Sequence, residues 1–320
     1  MGGAPPPTVV PRARPPAARS DGAGLPRRQS VTPSLRGGPG RIEDRRARAA
    51  ALAAVSTAAG QPLRLACAVL EHQLSRVDDA TVAAAAALAA GNADRNRITG
   101  RYPLLELDPV AEPVAAEVPR AVAALAPRAV PQPLTADGRQ LQALGLQGRR
   151  ELVEAWLDDV GQVNPLVAFW IGVAAGPILE TAAASITTPD RSEWTGPACP
   201  FCGGWPRISV IAEESGEFMA GSPRFLVCGR CAGWWVFARA TCPNCREDDP
   251  RKMAAHLADG RRGVRLDVCD TCSAYIKTFD LRVDGSADVV PLVDDVASVA
   301  LDLWADSRGW HRSSVPLAGV

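Results

Sequence analysis

Four Cys-x-x-Cys pairs constrain this chain more than any other feature of its sequence. They hold eight of the nine cysteines and lie within residues 199–272. The pairs are Cys199 with Cys202, Cys228 with Cys231, Cys242 with Cys245, and Cys269 with Cys272. Two intervening residues let the chain turn back so that both sulfurs face one ion, and a tetrahedral ion needs four such ligands. The four pairs therefore predict two four-thiolate metal sites.

The spacing favours combining the pairs in sequence order. The first two pairs are 25 residues apart and the last two are 23 apart, and each interval suits a β-hairpin that brings two turns together. Only ten residues separate the second pair from the third. We therefore predict two tandem modules that resemble rubredoxin or zinc ribbons. An interleaved pairing gives the same ligand count and stays open at this point.

The residue after each pair bears on the geometry of the turn. Gly203 follows the first pair, and glycine permits a positive φ there. Ala232, Arg246 and Ser273 stand at the matching positions of the other three pairs. A residue other than glycine at these positions alters the expected hydrogen bonds to sulfur, and this leaves the identity of the metal open.

A tetrahedral ion with four thiolates has no position left for water or substrate. Such sites are structural or recognition elements, so we predict that the protein is not an enzyme. Zinc is the default metal on ligand chemistry, although iron bound as in rubredoxin uses the same Cys-x-x-Cys pairs.

The remainder of the chain divides by composition into regions that predict an α+β fold. Residues 1–40 are rich in proline, arginine and glycine and are predicted to be a disordered tail. Residues 41–186 carry apolar side chains at helical spacing and predict an α-helical domain. Residues 187–240 and 241–285 hold the two metal modules with short strands. Residues 286–320 predict a C-terminal helix followed by a tail.

Apolar runs and cysteine content bear on localisation. The run Val163–Leu179 contains Pro165 and Pro177, so a buried helix is expected and not a membrane span. The N-terminal region shows no hydrophobic signal segment. We therefore predict a cytoplasmic protein without membrane insertion, in whose reducing surroundings metal binding is favoured over disulfides. The oligomeric state is not indicated.

Two rival functions use the same cysteines. Residues 199–282 carry twelve Lys or Arg and ten Asp or Glu, a balance of +2. Two divalent ions with four thiolates each would bring this to about −2, which disfavours phosphate binding. A zinc ribbon that binds nucleic acid or another protein is the alternative function. A thiol–disulfide oxidoreductase typically has one redox pair in a βαβ setting. Four pairs without that setting make this function the weakest candidate.

Further residues around the cysteines resemble a known family. The markers are Cys-Pro-x-Cys-Gly-x-x-Pro at 199–206, Trp235 and Arg239 ahead of Cys242, Tyr275–Lys277, Asp294–Leu303, and Gly309-x-His311-Arg312. Together they resemble FdhE, the family of formate dehydrogenase accessory proteins, over roughly residues 41–315. The resemblance implies a cytoplasmic maturation factor for the catalytic subunit of respiratory formate dehydrogenases, which carries molybdopterin and an iron–sulfur cluster. It also favours iron over zinc in the two modules.

This resemblance leads to a hypothesis about the client. We expect the client to dock in a groove between the helical domain and the metal modules. The candidate contacts are Trp234, Trp235, Arg239, Tyr275 and Lys277. Packing around the cysteine turns explains each of them singly at least as well. Asp294 and Asp295 are interpreted as negative charges that favour the first turns of the C-terminal helix.

Overall fold

The structure is a computed structural model that describes residues 9–10, 41–128, 130–212, 222–258, 263–283, 290–312 and 314. Residues Val9 and Val10 form a short strand. The remainder of the predicted tail, residues 1–40, lies outside the described residues, so its disorder stays a prediction.

Ten α-helices lie within these described ranges. They are α1 (Ile42–Val55), α2 (Gly60–Val77), α3 (Ala80–Ala90), α4 (Ala93–Ile98), α5 (Ala111–Leu125), α6 (Gln132–Ala143), α7 (Leu146–Asp158), α8 (Pro165–Ala184), α9 (Pro291–Ala297) and α10 (Val299–Asp306). Short 3₁₀ turns cover Asp108–Val110, Val160–Gln162 and Pro250–Lys252. Helices α1 to α8 confirm the predicted helical N-terminal region.

Helix α8 is the central helix of that region. Its start was predictable because Asn164 accepts the Leu166 N–H at 2.8 Å and Pro165 occupies the first turn. It is the one helix of the described chain that is long and apolar enough to cross a membrane, yet 72% of its apolar window is buried. Helices α2, α3, α5 and α6 pack against it. This burial is typical of the core helix of a soluble domain.

Seven strands from the second half of the chain and one short strand near its N-terminus build an eight-stranded sheet. Its strands are β1 (Val9–Val10), β2 (Pro206–Ile211), β3 (Arg224–Cys228), β4 (Trp234–Phe237), β5 (Met253–Leu257), β6 (Val264–Cys269), β7 (Ala274–Asp280) and β8 (His311–Arg312). The order across the sheet is β1-β5-β6-β7-β2-β3-β4, and β8 pairs with β7. Strands β2–β4 belong to the first cysteine module and β5–β7 to the second.

The two modules are fused through the middle of this sheet. Strand β2 pairs in parallel with β7, with Ile208 opposite Lys277 and Ile211 opposite Asp280. All other pairs along the path are antiparallel. The modules are therefore tandem in sequence but continuous in structure.

The predicted C-terminal helix is present as two helices. Helix α9 ends at Ala297 and α10 begins at Val299, because the Ser298 hydroxyl donates to the Asp294 and Asp295 carbonyls at 2.8 and 3.0 Å. Val293 and Val296 of α9 pack against helices α1 and α2. The C-terminal segment thus contacts the helical region as well as the sheet.

Candidate metal centres

The first centre is formed by Cys199, Cys202, Cys228 and Cys231. Their sulfurs all lie within 4.8 Å of one another. The Cys199 and Cys231 sulfurs are 3.6 Å apart, and those of Cys202 and Cys228 are 3.5 Å apart. The first pair precedes β2 and the second follows β3, so the β2–β3 pairing brings the two turns together.

The second centre repeats this arrangement with the remaining four cysteines. The Cys242 and Cys272 sulfurs are 3.8 Å apart, and those of Cys245 and Cys269 are 3.7 Å apart. Cys269 ends β6 and Cys272 precedes β7, which places this turn between two paired strands. The cysteines thus combine in sequence order, and the interleaved alternative is not the arrangement observed.

These distances suit a tetrahedral metal ion. A metal–sulfur bond of about 2.3 Å places the thiolates of a tetrahedron about 3.8 Å apart. A disulfide would require about 2.05 Å, and all eight cysteines are free. Each cluster is therefore able to hold one metal ion with four sulfur ligands, although the donor set does not distinguish iron from zinc.

The backbone turns carry the features expected of such sites. The residue after each pair has a positive φ: 72° at Gly203, 53° at Ala232, 66° at Arg246 and 55° at Ser273. The three departures from glycine therefore keep the left-handed turn, at a steric cost. The turn aims backbone donors at sulfur, with Arg230 N–H on Cys228 at 3.3 Å and Asn244 N–H on Cys242 at 3.4 Å.

Burial and mutual hydrogen bonds shift the pKa values of the thiols. Burial raises the pKa of Cys199 and Cys231 well above the usual value, and it raises the pKa of Cys242 to about 12. At Cys202 the direction is opposite, because hydrogen bonds from Cys199 and the other two thiols stabilise its thiolate. Four thiolates at these distances require a bound cation to offset their charge.

The first centre lies against the helical domain. Backbone N–H groups of Leu104 and Leu105 donate to the Pro200 and Phe201 carbonyls at 2.8 Å each. From the second turn, Arg230 donates to the Trp156 and Leu157 carbonyls at 2.9 and 3.0 Å. The cysteines share one continuous core with α2, α3 and α5 to α8. The first centre therefore fills the junction where the groove was expected.

The second centre lies at the protein surface. Cys242 and Cys269 are buried, but Cys272 is half-buried and Cys245 is exposed. Glu247 holds the loop that follows the third pair, since its carboxylate accepts the Thr271 hydroxyl at 2.5 Å and Lys252 at 3.2 Å. The Thr271 hydrogen bond, followed by the Asp249 N–H and Lys252, lowers the pKa of Glu247 to about 2.

Three of the five candidate client contacts are not accessible. Trp235 is 1% exposed and donates to the Gly196 carbonyl, Tyr275 is buried against Asp302, and Lys277 is 0% exposed. Their burial is at odds with a direct contact and fits the packing explanation. Trp234 is half-buried against Phe225, with ring centroids 4.4 Å apart, and Arg239 is exposed.

Lys277 belongs to a buried charge cluster that the sequence did not reveal. Asp295 accepts from Arg207 at 2.7 Å and Arg312 at 2.9 Å and lies 3.1 Å from the Lys277 ammonium. Asp302 binds Lys277 at 2.6 Å and Arg312 at 3.2 Å. Burial opposes ionisation of Asp295, but Arg312, Lys277 and Arg207 hold its pKa far below the usual range.

The interpretation of Asp295 as a helix-start charge is therefore wrong. Asp294 does accept the Val290 N–H at 2.8 Å, as a residue in a first turn can, but it also pairs with Arg48 at 2.8 Å. One signal was present in the sequence: Asp295 and Asp302 are seven residues apart, which places them on one face of a helical segment.

Comparisons with known proteins agree with this architecture. Residues 240–318 match the family model described as FdhE, C-terminal domain. The chain is 32% identical over 172 residues to the "Protein FdhE homolog" of Aquifex aeolicus, covering 54% of this chain and 58% of that protein. It is 31% identical over 151 residues to the protein of the same name from Pseudomonas aeruginosa, covering 45% and 42%. The chain thus spans about half the length of these curated relatives.

A solved structure extends the likeness to both halves of the chain. The crystal structure of the FdhE protein from Pseudomonas aeruginosa matches with a TM-score of 0.65 and 25% sequence identity. The match covers 87% of this chain and 94% of that chain, so it includes the helical region and the cysteine modules. The resemblance seen in the sequence is confirmed: the chain is similar to FdhE proteins in the sequence of its C-terminal region and in the fold of both halves.

Proposed function

We propose that this protein is a non-catalytic accessory factor that binds the catalytic subunit of a respiratory formate dehydrogenase in the cytoplasm and is needed for its activity. The observation that carries the proposal is the pair of closed four-cysteine centres within an FdhE fold. The client enzyme is the one implied by the family resemblance, with its molybdopterin and iron–sulfur cofactors.

The coordination chemistry supports a binding role. Each centre offers four sulfurs at tetrahedral distances, and a four-thiolate ion has no open position at which to polarise a substrate or activate water. In zinc-finger peptides, binding of such an ion supplies about 10–16 kcal/mol of folding free energy. The ions would therefore hold the sheet and its turns in the shape that a client recognises.

The metal is proposed to be iron, with zinc as the alternative. Protein purified without oxygen is expected to contain two irons per chain, one for each four-cysteine cluster. Oxidation should then produce thiolate-to-iron charge-transfer bands in the visible spectrum. Two zinc ions per chain and a featureless visible spectrum would show that the metal is zinc and not iron. Chains that lack metal and are joined by disulfides would overturn both the iron and the zinc assignment.

The proposed client contact lies on the edge of the sheet at β4. This strand ends the order of paired strands within the described residues. Trp234 begins it and the exposed Arg239 follows it. An aromatic side chain beside an arginine is a common composition for interface hot spots.

A pull-down of the formate dehydrogenase catalytic subunit tests this contact. Arg239→Ala is expected to weaken capture of the subunit and to leave the metal content unchanged, because no cysteine is altered. Arg139→Ala is the matched control, since Arg139 is also exposed but lies on α6 of the helical region. Equal capture by the unmodified protein and both variants would refute the contact at β4. Absence of capture by the unmodified protein would overturn the proposed function.

A further inference from the structure

The two centres have the same ligands but different access to solvent. In the first centre, which we call site 1, all four cysteines are buried, with exposed fractions of 0–2%. In the second, site 2, Cys242 and Cys269 are buried while Cys272 is half-buried and Cys245 is exposed. A molecule in solution therefore meets one exposed cysteine residue at site 2 and none at site 1.

The cover of site 1 has identifiable parts. The N–H groups of Leu104 and Leu105 hold the first cysteine turn, and Arg230 in the second turn reaches across to the carbonyls that end α7. The Arg230 guanidinium also stacks on Trp156, 4.8 Å from the ring centroid. Opening site 1 requires these contacts to break, which amounts to separating the first module from the helical domain.

Site 2 has no comparable cover within the described residues. The turn after Cys242 is held by local bonds: Arg246 N–H to the Cys242 carbonyl at 3.0 Å and Cys242 N–H to the Glu247 carbonyl at 2.8 Å. Neither bond involves the helical domain. The side-chain bond from Thr271 to Glu247 ties this loop to the turn of the fourth cysteine pair and likewise stays within site 2.

We propose that site 2 is an exchange-competent metal centre and that site 1 is a fixed structural one. The inference rests on the proposed binding of a metal by both clusters. The ligand that site 2 would accept is an external thiolate, from a small thiol or from a cysteine of a bound protein. Its sulfur forms a bond to the ion while the bond from Cys245 to the ion breaks, and Cys245 takes up the proton that the incoming thiol releases. The charge of the centre and the oxidation state of the metal do not change.

Site-resolved release kinetics test this division in the full chain. Protein loaded with zinc at both sites is mixed, without oxygen, with excess 4-(2-pyridylazo)resorcinol and N-ethylmaleimide. One equivalent of zinc is expected to leave about tenfold faster or more than the other, because release from site 1 must first break several buried hydrogen bonds. Peptide mass spectrometry should find N-ethylmaleimide first on the cysteines of site 2.

Two variants separate the sites. Cys245→Ser is expected to remove the fast phase and leave the slow phase intact. Arg230→Ala keeps every cysteine and the backbone N–H that faces Cys228, but it removes the strap to the helical domain. It should accelerate the slow phase and leave the fast phase unchanged.

The outcomes also separate this inference from the proposed metal binding. Release of the two zinc ions at the same rate would overturn the assignment of site 2 as the exchange-competent centre. Labelling of the site 1 cysteines before those of site 2 would do the same. Neither result would contradict metal binding at the two sites. If the slow phase of zinc release has the same rate in the Arg230→Ala protein as in the unmodified protein, contact with the helical domain does not limit release from site 1. A chain that takes up no zinc at all would contradict the metal centres themselves.

Discussion

The buried charge cluster makes a strong prediction about stability. Asp295 has three cationic groups within 3.1 Å, those of Arg207, Arg312 and Lys277, and it is 1% exposed. Asp295→Asn keeps the shape of the side chain but removes its charge. Three buried cations are then left with Asp302 as their anionic partner in the cluster, and breaking a buried ion pair in this way costs about 3–5 kcal/mol.

Urea unfolding at constant metal and reductant concentration measures this loss. Slopes for proteins are about 1–3 kcal/mol per molar urea, so the midpoint should fall by about 1 M or more. Asp306→Asn is the matched control, because Asp306 is an exposed aspartate at the end of α10. Its midpoint should stay close to that of the unmodified protein. An Asp295→Asn protein with an unchanged midpoint would refute the idea that the cluster needs this carboxylate.

The same carboxylate predicts a pH dependence with a defined sign. The pKa of Asp295 is held far below the ordinary value by Arg312, Lys277 and Arg207 against the opposing effect of burial. A carboxylate whose pKa is lower in the folded than in the unfolded state stabilises the fold. This stabilisation is fully present at pH values above the pKa of about 3.9 in the unfolded chain, and it is lost as the pH falls towards the pKa in the folded state. The stability difference between the unmodified protein and Asp295→Asn should therefore shrink from about pH 5 downwards. A difference that grows on acidification would contradict this sign.

Two further substitutions test the cysteine turns. Arg246→Gly should raise the free energy of unfolding by about 0.5–1 kcal/mol, because glycine tolerates the φ of 66° that arginine adopts there at a steric cost; an equal or lower urea midpoint would contradict this. Gly233→Ala should destabilise the first module by about 1–3 kcal/mol, since its Cβ would lie 2.5 Å from the Phe201 ring and 3.2 Å from the Cys231 sulfur; unchanged stability and metal content would argue against a rigid turn.

Features that depend on nearby residues were predictable from the sequence. The eight cysteine ligands could be recognised from their spacing. The spacing also favoured their combination in sequence order, because a hairpin of about 25 residues returns the chain to its starting point, but only the structure excludes the interleaved pairing. The left-handed turn could be inferred at Gly203, whereas the departures expected at Ala232, Arg246 and Ser273 keep a positive φ in the structure. Asn164 and Pro165 marked the start of α8 for the same local reason.

Features that depend on distant residues were not predictable from one sequence. Lys277 was a candidate client contact, with packing around the cysteine turns as the alternative, and lysine is rarely buried unless it is paired. Its partners Asp295 and Asp302 lie on helices α9 and α10, and Arg207 enters the cluster from β2. The parallel pairing of β2 with β7 joins strands about 70 residues apart in the chain, and no turn signal marks such a pairing.

The charge cluster and the parallel strand pair explain why two tandem motifs behave as one body. Arg207 lies on β2 of the first module, Lys277 on β7 of the second, and Asp295 on α9 of the C-terminal segment. Separating the modules would expose the long edge of β7 and leave Asp295 without one of its three cations. Each module supplies charges that the other cannot bury alone, so the C-terminal segment stabilises the junction only when both are folded. The hydrogen bonds of the first centre extend that junction to the helical domain. The second centre lies at the turn between β6 and β7 and remains open to solvent.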